Sequence, residues 1–346
     1  MLRCLTAGES HARALLAILE GIPAGLKVNA QAINQELKRR QAGFGRGRRM
    51  QIEHDRVEIL SGLKAGITLA SPIAILIKNK DSSIERLARV VCPRPGHADL
   101  AGLLKYGFSD CRDVLERASA RSTATTVGVG AICKVFLAEF KIKVSSRVVS
   151  IGGQTQAKKM TIKIREAIQR KDTVGGVFEV RASGVPAGLG SYVHPDRRLD
   201  ARIAAAVMSI PGIKAVECGL GFGYAQRFGS ECHDAIYYSR GKGYMRKTNN
   251  AGGIEGGISN GEEIVVRACM KPISTLLSPL ASVNIVSRRP AKASVERSDI
   301  CVVGSAGVVA ESAIAFILAD LFLEKFGADA LRDIKAAYLR YLERIR

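Results

Sequence analysis

Tryptophan is absent from this 346-residue chain, and aromatic residues make up only 5% of it. With so few rings there is little for nucleobases to stack on, which removes the usual chemistry of single-strand binding. The eight cysteines include no Cys-x-x-Cys pair and no Cys/His cluster at metal-ligand spacing. No metal site is expected, and the cysteines, several in apolar settings such as Ala131-Ile132-Cys133, read as reduced core residues of a cytoplasmic protein. Residues 1–10 contain no apolar run of the kind a signal peptide needs. The most apolar stretch, Ala313 to Phe326, is interrupted by Asp320 and Glu324 and is too short to span a bilayer. A soluble chain with no membrane partner is therefore expected. Acidic residues are also in deficit, 32 against 52 basic, for a net charge of +20. Such an excess favours anionic partners. Arg46-Gly47-Arg48-Arg49 invites a nucleic-acid reading, but no nucleic-acid-binding motif accompanies it. A small phosphorylated or carboxylated molecule is the better match.

With 47% apolar residues the chain can build a substantial core. No linker, low-complexity tract or repeat divides it, so residues 1–346 are expected to form one domain. Asn29 to Gln41 reads as a helix capped by Asn29, with Gly43 just beyond its end. Arg56 to Leu63 and Ile67 to Lys78 read as strands, the second interrupted at Pro72. Asp113 to Phe140 reads as one long helix, rich in small residues. Gly176 to Ala182 and Glu263 to Met270 alternate as strands. Leu199 to Ile210 and Ala330 to Ile345 read as helices, the latter amphipathic, and Glu311 to Phe326 reads as a buried helix ending at Gly327. Strands and helices mixed without regular β-α alternation imply the α+β class.

Histidine is scarce too, five residues in all, yet two of them stand in polar, glycine-marked segments. These are Thr6-Ala7-Gly8-Glu9-Ser10-His11 and Pro93-Arg94-Pro95-Gly96-His97-Ala98-Asp99. A histidine set beside Arg, Gly and Asp is built for proton transfer rather than for a core. Arg39 to Met50 interleaves glycines, which admit close backbone approach, with arginines, which supply fixed charge. No Gly-Lys-Ser/Thr follows, so it is not a Walker loop. In Glu116-Arg117-Ala118-Ser119-Ala120-Arg121, Arg117, Ser119 and Arg121 offer donors to an oxygen-rich anion. Thr248 to Gly261 holds five glycines and three asparagines in fourteen residues. That loop either winds tightly for its own sake or wraps a ligand. Lys271-Pro272-Ile273-Ser274-Thr275 adds a cation and two hydroxyls, and Arg297-Ser298-Asp299 a further ionic group. Taken together, the residues describe an acid/base enzyme for a polyanionic small molecule, with the reaction left open.

These segments, in this order, closely resemble the chorismate synthase family over nearly the whole chain. The match continues through Gly184 to Gly190, Leu199-Asp200-Ala201-Arg202 and Ser209-Ile210-Pro211-Gly212. The resemblance implies a lyase that removes phosphate from 5-enolpyruvylshikimate 3-phosphate, with loss of a ring proton, to give chorismate. This 1,4-elimination needs reduced FMN, with no net redox change. His97 would donate a proton to the departing phosphate, His11 would keep the reduced flavin correctly protonated, and Asp299 would assist proton removal through the flavin. Flavin contacts would come from Arg117, Ala118, Ser119, Pro211, Gly212, Gly256, Lys271, Pro272, Ile273, Ser274, Thr275 and Arg297. Arg40 and Arg46 match positions associated with NADPH where the enzyme reduces its own flavin, and they equally suit the substrate. The resemblance further implies an α+β fold of two packed β-sheets flanked by outer helices, assembled as a homotetramer.

Three features depart from the family pattern. Ala12 and Arg13 follow the first histidine where the family usually has Gly. Ser122 and Thr126 replace an acid and a base. Gly304 stands for a usual Pro. None removes a proposed catalytic group. A family member that binds FMN or substrate without turnover is the competing reading, and a basic nucleic-acid-binding protein is a more distant one.

Overall fold

The computed structural model describes residues 2–46, 54–241, 243–296 and 298–345. Two four-stranded antiparallel sheets enclose the core. The first has the order β1 (Arg3–Ala7), β2 (Ala14–Glu20), β4 (Ile73–Lys78), β3 (Val57–Ile59). The second has the order β5 (Lys143–Ile151), β6 (Gly176–Ser183), β8 (Ile264–Met270), β7 (Ile213–Cys218). Period-2 alternation gives each sheet one buried face. Leu15, Ala17 and Leu19 of β2 lie beside Ile73, Ile75 and Ile77 of β4, and Phe178, Val180 and Ala182 of β6 beside Ile264, Val266 and Ala268 of β8.

Helices fill the space between those faces. α4 (Thr123–Ala138) lies against the first sheet, and α7 (Val303–Phe326) against the second. The α+β class holds, with α4 and α7 lying between the two sheets. The largest helix is inside. The reason lies in its sequence: α7 is apolar on every side, and 20 of its 24 residues are buried, so it cannot cover an outer face. By length and composition α7 could cross a membrane, but it is enclosed by protein here. Small residues let the layers close. A Cβ on Gly130 of α4 would lie 2.2 Å from the Ser312 Cβ of α7, and one on Gly307 2.8 Å from Ser146 Oγ of β5. Glu311 of α7, fully buried, is held by Arg39 at 2.7 Å through both oxygens, by Ser146 at 2.5 Å and by Lys134.

Among the described residues, further helices are α1 (Ala30–Gln41), α2 (Asp99–Tyr106), α3 (Cys111–Ala118), α5 (Ala157–Gln169), α6 (Leu199–Met208) and α8 (Leu331–Ile345), with a single short turn of helix at Gly229–Cys232. Asn29 caps α1 as expected, its Oδ1 accepting from Ala32 N at 2.8 Å. Pro72 separates Ile67–Thr68 from β4 as expected. The long helix expected from Asp113 to Phe140 is instead broken. Ser119 turns extended (φ −65°, ψ 141°), its Oγ accepts from Arg121 N at 3.3 Å, and a 3-10 turn at Ala120–Ser122 leads into α4. A side-chain cap that competes with the helix ladder produces this break, and the break lets Arg117 and Arg121 point to different partners.

Candidate active site

The first loop folds tightly onto β2. Gly8 has φ +104°, and a Cβ there would lie 2.4 Å from the Ala14 carbonyl oxygen, so only glycine fits. Glu116 of α3 then fixes His11. Its Oε2 accepts the His11 backbone N–H at 2.8 Å, and its Oε1 faces the ring Nδ1 at 2.8 Å. Burial would raise the Glu116 pKa, but the hydrogen bonds from His11 outweigh it and hold the carboxyl below its usual range. Arg117 donates to the carbonyls of Gly8 at 2.9 Å and Thr6 at 3.1 Å. Asn79 Nδ2 donates to the carbonyls of Ala12 at 2.7 Å and Glu9 at 3.2 Å.

Beside this loop lies a buried cluster of guanidinium groups. Asp55 bridges Arg40 Nη2 and Arg121 Nη1, each at 2.6 Å, and Arg121 Nε donates to Asn79 Oδ1 at 2.8 Å. Arg46 Nη1 pairs with Asp299 at 2.9 Å. That pair is set by the backbone, because Ile300 N donates to the Gly45 carbonyl at 2.8 Å. Gly45 (φ +91°) is itself wedged between Ile164 and Cys301. Burial pushes the pKa of both Arg40 and Arg46 down, against the pull of Asp55 and Asp299. Buried guanidinium groups seek a further anion. Among the described residues, Arg40 Nε and Arg46 Nε have no hydrogen-bond partner.

The second histidine has its own carboxylate. His97 Nδ1 lies 2.5 Å from Asp99 Oδ1, and Arg94 grips the same carboxylate through Nε at 2.8 Å and Nη2 at 3.0 Å. Asp99 is 0% exposed. Burial would raise its pKa, yet the hydrogen bonds from His97 and Arg94 hold it well below the carboxylate range. A carboxylate so held can only accept, while Arg94 Nη2 also lies 3.0 Å from His97 Nδ1 and 3.4 Å from Nε2. Arg94 Nη1 continues to Thr275 Oγ1 at 2.8 Å. The carbonyl of Gly96 accepts from Ser274 Oγ at 2.8 Å and from Lys271 Nζ. Burial, together with the positive charge of Lys214, pushes the Lys271 pKa down. Lys271 N donates to the Gly212 carbonyl at 2.9 Å.

α3 joins the two centres. Its first residue, Cys111, lies close enough to Asp99 that burial and that charge push its thiol up to about 11, while Glu116 at its last turn holds His11. The structure thus gathers His11 with Arg117, Ala118 and Ser119, and Arg40 with Arg46 and Asp299. His97 stands with Lys271, Pro272, Ile273, Ser274, Thr275, Pro211 and Gly212. Gly256 is not among them. It belongs to the hairpin Ile254–Ser259, whose neighbours are Gly190 and Leu199, at the Ile264 end of β8. Lys271 follows the other end of that seven-residue strand, about 20 Å away at ~3.3 Å per residue. Arg297 and residues 47–50 lie outside the described residues.

The glycine-rich loop winds around its own chain. Asp234 accepts from Asn250 N and Ala251 N at 2.8 Å each and from Thr248 Oγ1 at 2.5 Å. Of the departures, Arg13 directs its side chain to solvent, and Ser122 donates to the Ser119 carbonyl at 3.1 Å. A Cβ on Gly304 would meet Val148 at an ordinary 3.8 Å. Asp55, Asn79 and the pairing of Glu116 with His11 carry no local signal in the sequence.

The chorismate synthase family model matches residues 2–323. The chain is 51% identical to the chorismate synthase of Moorella thermoacetica over 383 residues, covering 100% of both chains. It is 50% identical to that of Geobacter sulfurreducens over 392 residues, again covering 100% of both. A crystal structure of chorismate synthase superposes with a TM-score of 0.83 at 42% identity, covering 99% of this chain and 98% of the other. A match of this extent, together with two carboxylate-held histidines beside buried arginines, places the chain in the chorismate synthase family.

Proposed function

We propose that the chain catalyses the reaction for which its family is named. That reaction is 1,4-elimination of phosphate from 5-enolpyruvylshikimate 3-phosphate to give chorismate, with reduced FMN as cofactor. The observation that carries the reading is the pairing of two histidines with depressed carboxylates beside a guanidinium cluster that has donors to spare. A substrate with one phosphate and two carboxylates supplies the anions that Arg40 and Arg46 call for. Arg40, 4% exposed and tied to Asp55, suits an enclosed substrate better than the phosphate of an external nicotinamide.

The donor set around Lys271 fits FMN. A cation with a lowered pKa, the hydroxyls of Ser274 and Thr275, and the nearby backbone of Gly212 match a phosphate and a ribityl chain. When bound, reduced FMN supplies transient electron donation as the phosphate leaves. His97 gives the proton on Nε2 to the departing phosphate, oriented by Asp99 at Nδ1. His11 holds a proton at its own site with Glu116 as its acceptor. Asp299, anchored at Oδ2 by Arg46, takes up a proton on its carboxylate. Gly256 and Lys271 lie towards opposite ends of β8 within one chain, an arrangement that suits a homotetramer in which another copy brings Gly256 to the flavin. One continuous core from Leu2 to Ile334 supports reading residues 1–346 as a single domain. Eight uncrosslinked cysteines suit the cytoplasm.

The test is anaerobic incubation of the protein with 5-enolpyruvylshikimate 3-phosphate and dithionite-reduced FMN, following both products. Equal release of chorismate and phosphate, absent with oxidised FMN alone, is expected. Tight flavin binding without product would overturn the reading in favour of a binding protein. Product from oxidised FMN plus NADPH would reassign Arg40 and Arg46 to the nicotinamide.

A further inference from the structure

One carboxylate grips His11 at two atoms, the backbone N–H and the ring Nδ1. The backbone carbonyl of the same residue, Glu116, accepts from Ser10 N at 2.9 Å. Glu116 is 5% exposed and held ionised by its hydrogen bonds, so it accepts and cannot donate. A neutral His11 therefore carries its proton on Nδ1. One turn earlier on α3, Arg112 Nη1 lies 3.9 Å from Glu116 Oε1. Its Nε donates to the Ala88 carbonyl and its Nη2 to Glu296, each at 2.9 Å. Nη1 is buried and has no hydrogen-bond partner among the described residues. One buried guanidinium thus lies between the carboxylate behind His11 and Glu296.

We propose that Glu116 is a positioning residue that fixes the tautomer of His11, and that Arg112 clamps this carboxylate to Glu296. The catalytic consequence rests on the role given to His11 above, whereas the tautomer is a property of the folded protein alone. A merely structural Glu116 would anchor the loop without selecting a ring nitrogen. In Glu116→Gln the amide can donate to Nδ1, which moves the histidine proton to Nε2 while keeping the size of the side chain. The comparable loss of orientation in serine proteases costs about 10⁴ in kcat.

The experiment is ¹⁵N NMR of histidine-labelled full-length protein without ligand, with the His11 signals assigned by their loss in His11→Gln. Wild type is expected to show Nδ1–H, Glu116→Gln to show Nε2–H, and Glu116→Asp to show a mixture. In anaerobic turnover, Glu116→Gln should lose about 100-fold or more in kcat with KM changed less than about threefold. Arg112→Gln should give mixed tautomers and lose about tenfold in kcat. An unchanged tautomer in folded Glu116→Gln overturns the role of Glu116, and wild-type behaviour of Arg112→Gln overturns the clamp. Should Glu116→Gln not fold, unaltered Nδ1–H and kcat in Glu116→Asp overturn it instead. A tautomer shift in a chain that never turns over would uphold Glu116 and sink the proposed reaction.

Discussion

The chain contains two His-x-Asp triplets of the same spacing, His97-Ala98-Asp99 and His194-Pro195-Asp196. In both, Nδ1 sits against the carboxylate, at 2.5 and 2.6 Å. Their surroundings are opposite. The side chains of the first pair are 20% and 0% exposed, those of the second 71% and 77%. Arg94 forks onto Asp99 and continues to Thr275, whereas His194 and Asp196 stand in water beside a short 3-10 turn. Geometry alone does not make a site. A hydrogen bond orients a proton donor usefully only where burial excludes water and further hydrogen bonds hold the acceptor, as Arg94 holds Asp99.

The widest separation between the pairs is expected from their carboxylates. Asp99→Asn leaves Arg94 buried without its counter-charge, which costs about 3–5 kcal/mol. It also presents an amide to His97 Nδ1. Denaturant titration should show that loss, and Asp196→Asn should leave the midpoint unchanged. Equal effects would erase the distinction drawn here.

pH sharpens the same contrast. The Asp99 pKa is depressed on folding, so its contribution is fully present above the ordinary Asp value of about 3.9 and is lost as pH falls below it. The stability gap between wild type and Asp99→Asn should therefore shrink as pH falls below about 4. A gap that widens over that range contradicts the sign.

A smaller effect extends the comparison to glycine. Gly130→Ala drives a methyl into Ser312 and should destabilise by about 1–3 kcal/mol. Gly304→Ala meets only Val148 at 3.8 Å and should be neutral or stabilising by up to about 1 kcal/mol. Thermal melts of the two variants decide this, and equal destabilisation would mean that the first turn of α7 is as tightly enclosed as its middle.

What was legible in the sequence was local. Asn29, Pro72 and the glycines at 8 and 96 act on their neighbours, so helix starts, strand breaks and loop turns could be read directly. Gly256 apart, the family's motif residues among the described ones lie in loops that the fold brings near one another. What was not legible crosses the chain. Glu116 meets His11 over a separation of 105 residues, Asp55 joins Arg40 to Arg121, and Asn79 closes the first loop from β4. No local pattern announces such partners. The break at Ser119 was hidden because a serine hydroxyl competes with a helix ladder only when the next segment has somewhere else to go. The inward position of α7 was implicit in its apolar circumference, although the glycine-rich loop around Asp234 could have been either a scaffold or a ligand cradle.

The central claim is that His97 acts because its pair is buried, and a single turnover of substrate under anaerobic conditions with reduced FMN tests it most directly. Phosphate release would be followed for wild type, His97→Ala and His194→Ala. The account predicts that His194→Ala matches wild type, while His97→Ala slows by about 10²–10⁴, the usual contribution of a general acid. Phosphate release at the wild-type rate from His97→Ala, or an equal loss in both variants, would contradict it.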